Sequence, residues 1–184
     1  PLAPSFVFED ARLGYREGLR ADDDGRGREL WVRPSPDSAE RSADLAPAEA
    51  LVADAGFDEF VRRQWSRLVA GESVKLRFAV PSRLDSYDFT VRRRGSTQLS
   101  GEPAEVFRLR LGGLWGWLAP HIDVAYGRET RRLLRFEGLS NLRDDAGEEQ
   151  LQARIDFPEP ARPAEPRQWQ ALVSEPLSAC RVRA

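Results

Sequence analysis

The sequence predicts a mainly β (α+β) fold: a long curved antiparallel sheet forming a half-open barrel, plugged by one amphipathic helix. Three observations carry that class. Apolar and polar residues alternate with period two over residues 121–157 and again over 74–80, 87–91 and 107–111, the pattern of strands with one face in the core and one in water. A single stretch, 57–69, switches to helical spacing. Strand follows strand with no βαβ rhythm, which argues against a parallel sheet.

The elements follow in order. Phe6 and Phe8 face one way and Val7 and Glu9 the other, with Leu13, Tyr15 and Glu17 continuing the pattern. Residues 18–27 form a polar loop holding Asp22, Asp23, Asp24 and Gly25, and a third strand over 29–33 stops at Pro34. Residues 35–47 are Pro/Ser/Asp-rich and read as a loop, and 48–52 as a short helix broken near Gly56. Phe57, Phe60, Val61, Trp65, Leu68 and Val69 then make a wide apolar stripe. Asp58 and Glu59 precede Arg62, Arg63 and Arg67 on the opposite side, as the helix dipole favours. Gly71 ends that helix.

Val74, Leu76, Phe78 and Val80 open the main sheet, and a turn at 81–83 leads to Tyr87, Phe89 and Val91. A second turn region spans 96–103, before Phe107, Leu109 and Leu111. GGLWGWLAP, 112–120, interrupts the alternation. The last strands carry Ile122, Val124 and Tyr126, then Leu134 and Phe136, then Leu151, Ala153, Ile155 and Phe157, with turns at 127–130 and 144–147. Eight to ten strands of about 30 Å, at ~3.3 Å per residue, must curl, and the concave face must be filled. The 57–69 helix is the plug, and what it leaves uncovered is a pocket. Residues 1–157 form this single curved domain. Residues 158–184 form a Pro-rich strap, with Trp169 and Leu172 anchoring a last strand or short helix.

Composition narrows the function. With 28 basic and 30 acidic residues in 184, the chain lacks the basic excess of a nucleic-acid binder. Lys75 is its one lysine, so guanidinium carries nearly all positive charge. Cys180 is the single cysteine, which leaves no internal disulfide and no multi-cysteine zinc site. No apolar run is long enough to cross a bilayer as a helix. The chain contains no methionine, so Pro1 is not a translation start. Either a cleaved secretory leader ending before PLAPS or a trimmed terminus accounts for this. The expected location is periplasmic or otherwise exported.

No pattern for catalysis stands out. His121, the one histidine, has Asp123 on its own strand face, but no G-x-S-x-G elbow supplies a nucleophile. One histidine is too few for a mononuclear metal site. The two Asp-rich stretches before Gly25 and Gly147 lack calcium-loop spacing and read as turns. Arg92, Arg93 and Arg94 meet either solvent at a strand end or anionic headgroups. Trp115 and Trp117, flanked by Leu114 and Leu118, either fill the core or line and gate a lipid-sized cavity. The expected ligand-binding set is Leu114, Trp115, Trp117 and Leu118 with the inward Trp65, Phe89, Phe107 and Phe136. No cofactor and no metal is expected.

The segment YGRETRRLLRFEGLSNLRDDAGEEQLQARIDF, with the succession of long strands and an inserted helix, resembles the periplasmic lipoprotein carriers of the Lol system and related envelope proteins. Residues 130–133 stand at the place of the family's T-x-x-L step, and 144–147 at its D-x-x-G turn. The resemblance covers residues 73–157. No signature arginine of the carriers can be placed, so no family site is carried over. The resemblance implies a half-open β-barrel closed by helices that holds acyl chains in an apolar cavity. The expected function is therefore non-enzymatic: binding or carrying a lipid, a lipoprotein acyl chain or another hydrophobic ligand, with peripheral membrane contact. The alternative is a structural or interaction module that meets another envelope protein and holds no ligand. A third reading, a hydrolase using His121, requires that residue in a cleft beside a carboxylate or serine.

Overall fold

The alternation over residues 74–157 folds into one curled sheet. The computed structural model describes residues 1–21, 27–46, 50–113, 120–163 and 165–175. Among them lie β1 (Phe6–Asp10), β2 (Tyr15–Ala21), β3 (Arg28–Arg33), β4 (Arg41–Asp44), β5 (Leu51–Val52), α1 (Gly56–Arg63) and α2 (Trp65–Val69). They continue with β6 (Val74–Val80), β7 (Asp85–Leu99), β8 (Glu102–Leu111), β9 (Ile122–Gly127), β10 (Leu133–Arg143), β11 (Gln150–Asp156) and α3 (Pro166–Ser174). Seven strands run β11-β10-β9-β8-β7-β6-β5 in one sheet, a half-barrel that is antiparallel throughout except where β5 pairs parallel to β6. The mainly-β class with a helix on the curled sheet is thus the observed one.

The hollow face carries Val74, Leu76, Val91, Phe107, Leu109, Val124 and Tyr126, and α1 and α2 lay Phe60, Val61, Trp65 and Leu68 onto them. Full burial of each such side chain contributes roughly 1.5–3 kcal/mol. The helical stretch is not the single helix that the spacing predicts. It breaks at Gln64, whose φ of −94° and ψ of 8° lie outside the α region. Beyond the break, the Trp65 ring of α2 stands edge-on to Phe107. Val69, at the edge of the stripe, stays 36 % exposed. Gly71 closes α2 at φ +89°, a left-handed conformation that suits glycine. The start of α1 is laced to the N-terminus. The Ala53 N–H donates to the Leu2 carbonyl at 3.0 Å. A Cβ on Gly56 would overlap that same carbonyl.

The N-terminal hairpin is part of a second sheet, β1-β2-β3-β4, antiparallel at each pairing. It caps the end of the half-barrel that carries the Pro81–Arg83 turn and the 144–147 turn. Leu19 and Leu30 pack with Ala53 and Ala79 there. Arg12 spans the junction, with its guanidinium on Asp10 at 2.6 and 3.0 Å, on Asp145 at 2.9 Å and on the Arg143 carbonyl at 2.8 Å.

Several boundaries differ from the sequence reading. Residues 41–44 add β4 within what reads as a loop, because their backbone completes the edge of β3. Leu51–Val52 is a strand and not part of a short helix, since it pairs with Arg77 and Phe78. The 96–103 turn shrinks to Ser100 and Gly101 at φ +50° and +80°, a tight hairpin turn that fits strand twist and extends β7 and β8. The polar loop begins only after Ala21, and residues 22–26 lie outside the described set. Of the two alternatives for 168–173, the helix is the observed one: α3 starts at Pro166 and buries none of its residues.

Candidate functional site

Strand register decides where the predicted ligand residues fall. Phe107 is opposite Val124, and Val124 opposite Phe136, so these side chains share the hollow face. Trp65 meets Phe107 edge-on, with ring centroids 5.5 Å apart and planes at 81°. Phe107 is fully buried and Trp65 is 8 % exposed. The Arg131 guanidinium lies 5.6 Å from the Trp65 ring centroid. These two rings fill the middle of the hollow. Phe89 and Phe136 are half-buried and pack at the margin of the same cluster. Phe89 belongs to a string of rings, Phe89–Phe78–Phe57, at centroid spacings of 6.0 and 6.3 Å. That string stands toward the capped end, where β8 runs out through Leu111. Leu114, Trp115, Trp117 and Leu118, like Cys180, lie outside the described residues.

Among the described residues, the alternation rule that sends charge outward fails at Glu105, Arg93 and Glu17, and also at Asp10, which is buried at the end of β1 and held by Arg12. Glu105 is in phase with Phe107 and Leu109, and Arg93 with Phe89 and Val91, so both point into the hollow. The Glu105 carboxylate is 2 % exposed. It accepts from Arg93 at 2.6 Å, Arg128 at 2.8 Å and Ser96 at 3.1 Å. Burial opposes its ionisation, but the hydrogen bonds of Arg93 and Arg128 outweigh that, and the carboxyl titrates below its ordinary value. Glu17 is in phase with Tyr15 and Leu19. It accepts from the Tyr15 hydroxyl at 2.6 Å, and burial raises its carboxyl above the ordinary value. The sequence carried this signal: a charge standing in the apolar phase of a strand must find a partner inside.

Two open hollows lie among the described residues away from the helix–sheet interface. One, of ≈ 440 Å³, sits at the junction of the two sheets, between Tyr15, Val32, Arg41, Ser82 and Arg143. The other, of ≈ 290 Å³, holds His121, Asp123 and Glu137. His121 Nε2 is 3.9 Å from Asp123. That carboxylate is already held by both nitrogens of the Arg108 fork at 2.6 and 2.5 Å. Among the described residues, no hydroxyl or thiol lines that hollow.

Two surfaces complete the picture. Ile155 and Phe157, at the free edge of the half-barrel, are 41 % and 38 % exposed, and Trp169, Leu172 and Val173 of α3 are 61–67 % exposed. On the convex face of the sheet, Lys75, Arg92 and Arg110 stand exposed. Comparison with protein-family models, with curated proteins and with solved structures finds no match for this chain.

Proposed function

We propose that this chain is a non-enzymatic interaction module of the cell envelope, working through its outer surfaces. The observation that carries this reading is the combination of a hollow occupied by Trp65 and Phe107 with the exposed apolar side chains Trp169, Leu172 and Val173 on α3. Trp169, Leu172 and Val173 fall at i, i+3 and i+4, so they form one face of α3, which is exposed among the described residues. Exposed apolar surface of this kind marks an interaction site more often than a solvated one.

A second reading, the carriage of a lipid or another hydrophobic ligand, is supported by the half-buried string Phe57, Phe78 and Phe89. These rings offer apolar contact at the end of the hollow where β8 leaves the sheet. Native mass spectrometry of the intact protein, purified from an envelope fraction, separates the two. The module reading expects protein masses alone, either the chain or a protein complex, and loss of that complex in Trp169→Ser with Leu172→Ser. A bound lipid mass that organic extraction removes overturns it and supports the carrier.

A further inference from the structure

The convex face of β6, β7 and β8 gathers cations without matching acids. Lys75 is opposite Thr90 and Thr90 opposite Arg110, while Arg92 is opposite Arg108. All five side chains therefore share the face turned away from the helices. Strands about 4.8 Å apart with a ~3.4 Å rise put Arg92 about 8 Å from both Lys75 and Arg110, and Lys75 about 10 Å from Arg110. Two guanidiniums directly opposite one another, as at Arg92 and Arg108, cost stability. Asp123 relieves only Arg108. Asp88, the other acid on this part of the face, stands beside Arg77 at 4.0 Å. Lys75, Arg92 and Arg110 have no acidic partner among the described residues; Arg94, also exposed, sits in the bulge of β7 between Arg93 and Gly95. In a chain of net charge −2 this is a local concentration of positive charge.

The geometry points to a docking face for an anionic lipid surface, built from Lys75, Arg92 and Arg110. The shape favours a surface over a small anion. The three cations project from a continuous sheet, and neither of the two hollows includes any of them. An isolated phosphate would stay fully hydrated there, whereas a plane of anionic headgroups meets all three charges together. Each basic residue near such a surface strengthens binding about fivefold, and the attraction fades within a Debye length.

The test is co-sedimentation of the intact protein with vesicles of phosphatidylglycerol and phosphatidylcholine, and with phosphatidylcholine vesicles, at low and high salt. Binding is expected to the anionic vesicles alone and to weaken at high salt. The triple variant Lys75→Gln/Arg92→Gln/Arg110→Gln should bind about a hundredfold more weakly, with its melting temperature held. Arg63→Gln/Arg67→Gln, on the helical segment, should bind as the parent does. Equal binding to neutral vesicles, no binding to anionic ones, or an unaffected triple variant overturns the proposal. So does tighter binding to soluble heparin than to vesicles, or displacement by millimolar inorganic phosphate.

Discussion

Truncating Trp65 to alanine decides what the middle of the hollow is for. Its ring is 8 % exposed, edge-on to Phe107 at 5.5 Å, and covered by Arg131 at 5.6 Å. Loss of a buried Trp from a packed core costs about 3–5 kcal/mol. For a chain of this length each kcal/mol moves the melting temperature by about 2–4 °C, so a fall on the order of 6–20 °C is expected. Within that total the aromatic pair accounts for about 0.5–1.5 kcal/mol. Urea unfolding followed by circular dichroism measures this, in Trp65→Ala, Phe107→Ala and the double variant, with Trp65→Phe as a milder change. The coupling from the cycle should fall in that same range, because the rings touch. If Trp65 and Phe107 instead line a ligand cavity, each truncation costs under about 1 kcal/mol and abolishes ligand uptake. That result would falsify the assignment of both rings to the core.

Three further outcomes follow from the same coordinates. Gly56→Ala should destabilise the protein by about 1–3 kcal/mol, as overpacking does, and raise amide exchange at residues 2–6, because the added methyl displaces the Leu2 carbonyl. Glu105→Gln should cost about 1–3 kcal/mol at neutral pH, a figure discounted because Arg93 and Arg128 are 32 % and 51 % exposed. The folded-state pKa of Glu105 is depressed, so its contribution is present above the ordinary value of 4.5 and is lost as pH falls through the folded value. Unfolding curves of parent and variant should therefore converge on acidification, and a gap that stays constant to the acid limit contradicts the carboxylate assignment. Arg12→Lys should cost about 1.5–3 kcal/mol by losing the forked contact to Asp10 and the reach to Asp145, and should expose the sheet junction to limited proteolysis. An unchanged melt would show that the junction holds without the fork.

The half-barrel was legible because its strands alternate cleanly and its helix carries a wide stripe. The cap was not. β4 holds Arg41, Ser42, Ala43 and Asp44, with no alternation to read, and β5 is two residues long. Both exist because neighbouring strands offer unpaired backbone groups, which no local pattern encodes. The break at Gln64 was equally silent, since the residues on both sides keep one helical phase. For the predicted ligand set, phase placed Phe89, Phe107, Phe136 and Trp65 on the hollow face. Phase says nothing about depth, and depth separates the buried Trp65 and Phe107 from the half-buried Phe89 and Phe136.

Charge shows a parallel division. Arginines of this chain that carry structure have recognisable partners: Arg12 on Asp10, Arg93 on Glu105, Arg108 on Asp123, Arg135 on Asp156. Arg12 also reaches Asp145 and the Arg143 carbonyl, and the other three guanidiniums pair with an acid of a neighbouring strand. Lys75, Arg92 and Arg110 tie nothing together among the described residues, and Arg92 faces a second guanidinium across the ladder. Folding alone would be served as well by neutral polar residues there, and the Arg92–Arg108 repulsion would vanish. A cost borne by the folded chain and recovered only when negative charge approaches is what a docking face requires. On the proposed docking reading, the concave side of the sheet carries the packing of Trp65 and Phe107, and the convex side carries the charge that meets a partner.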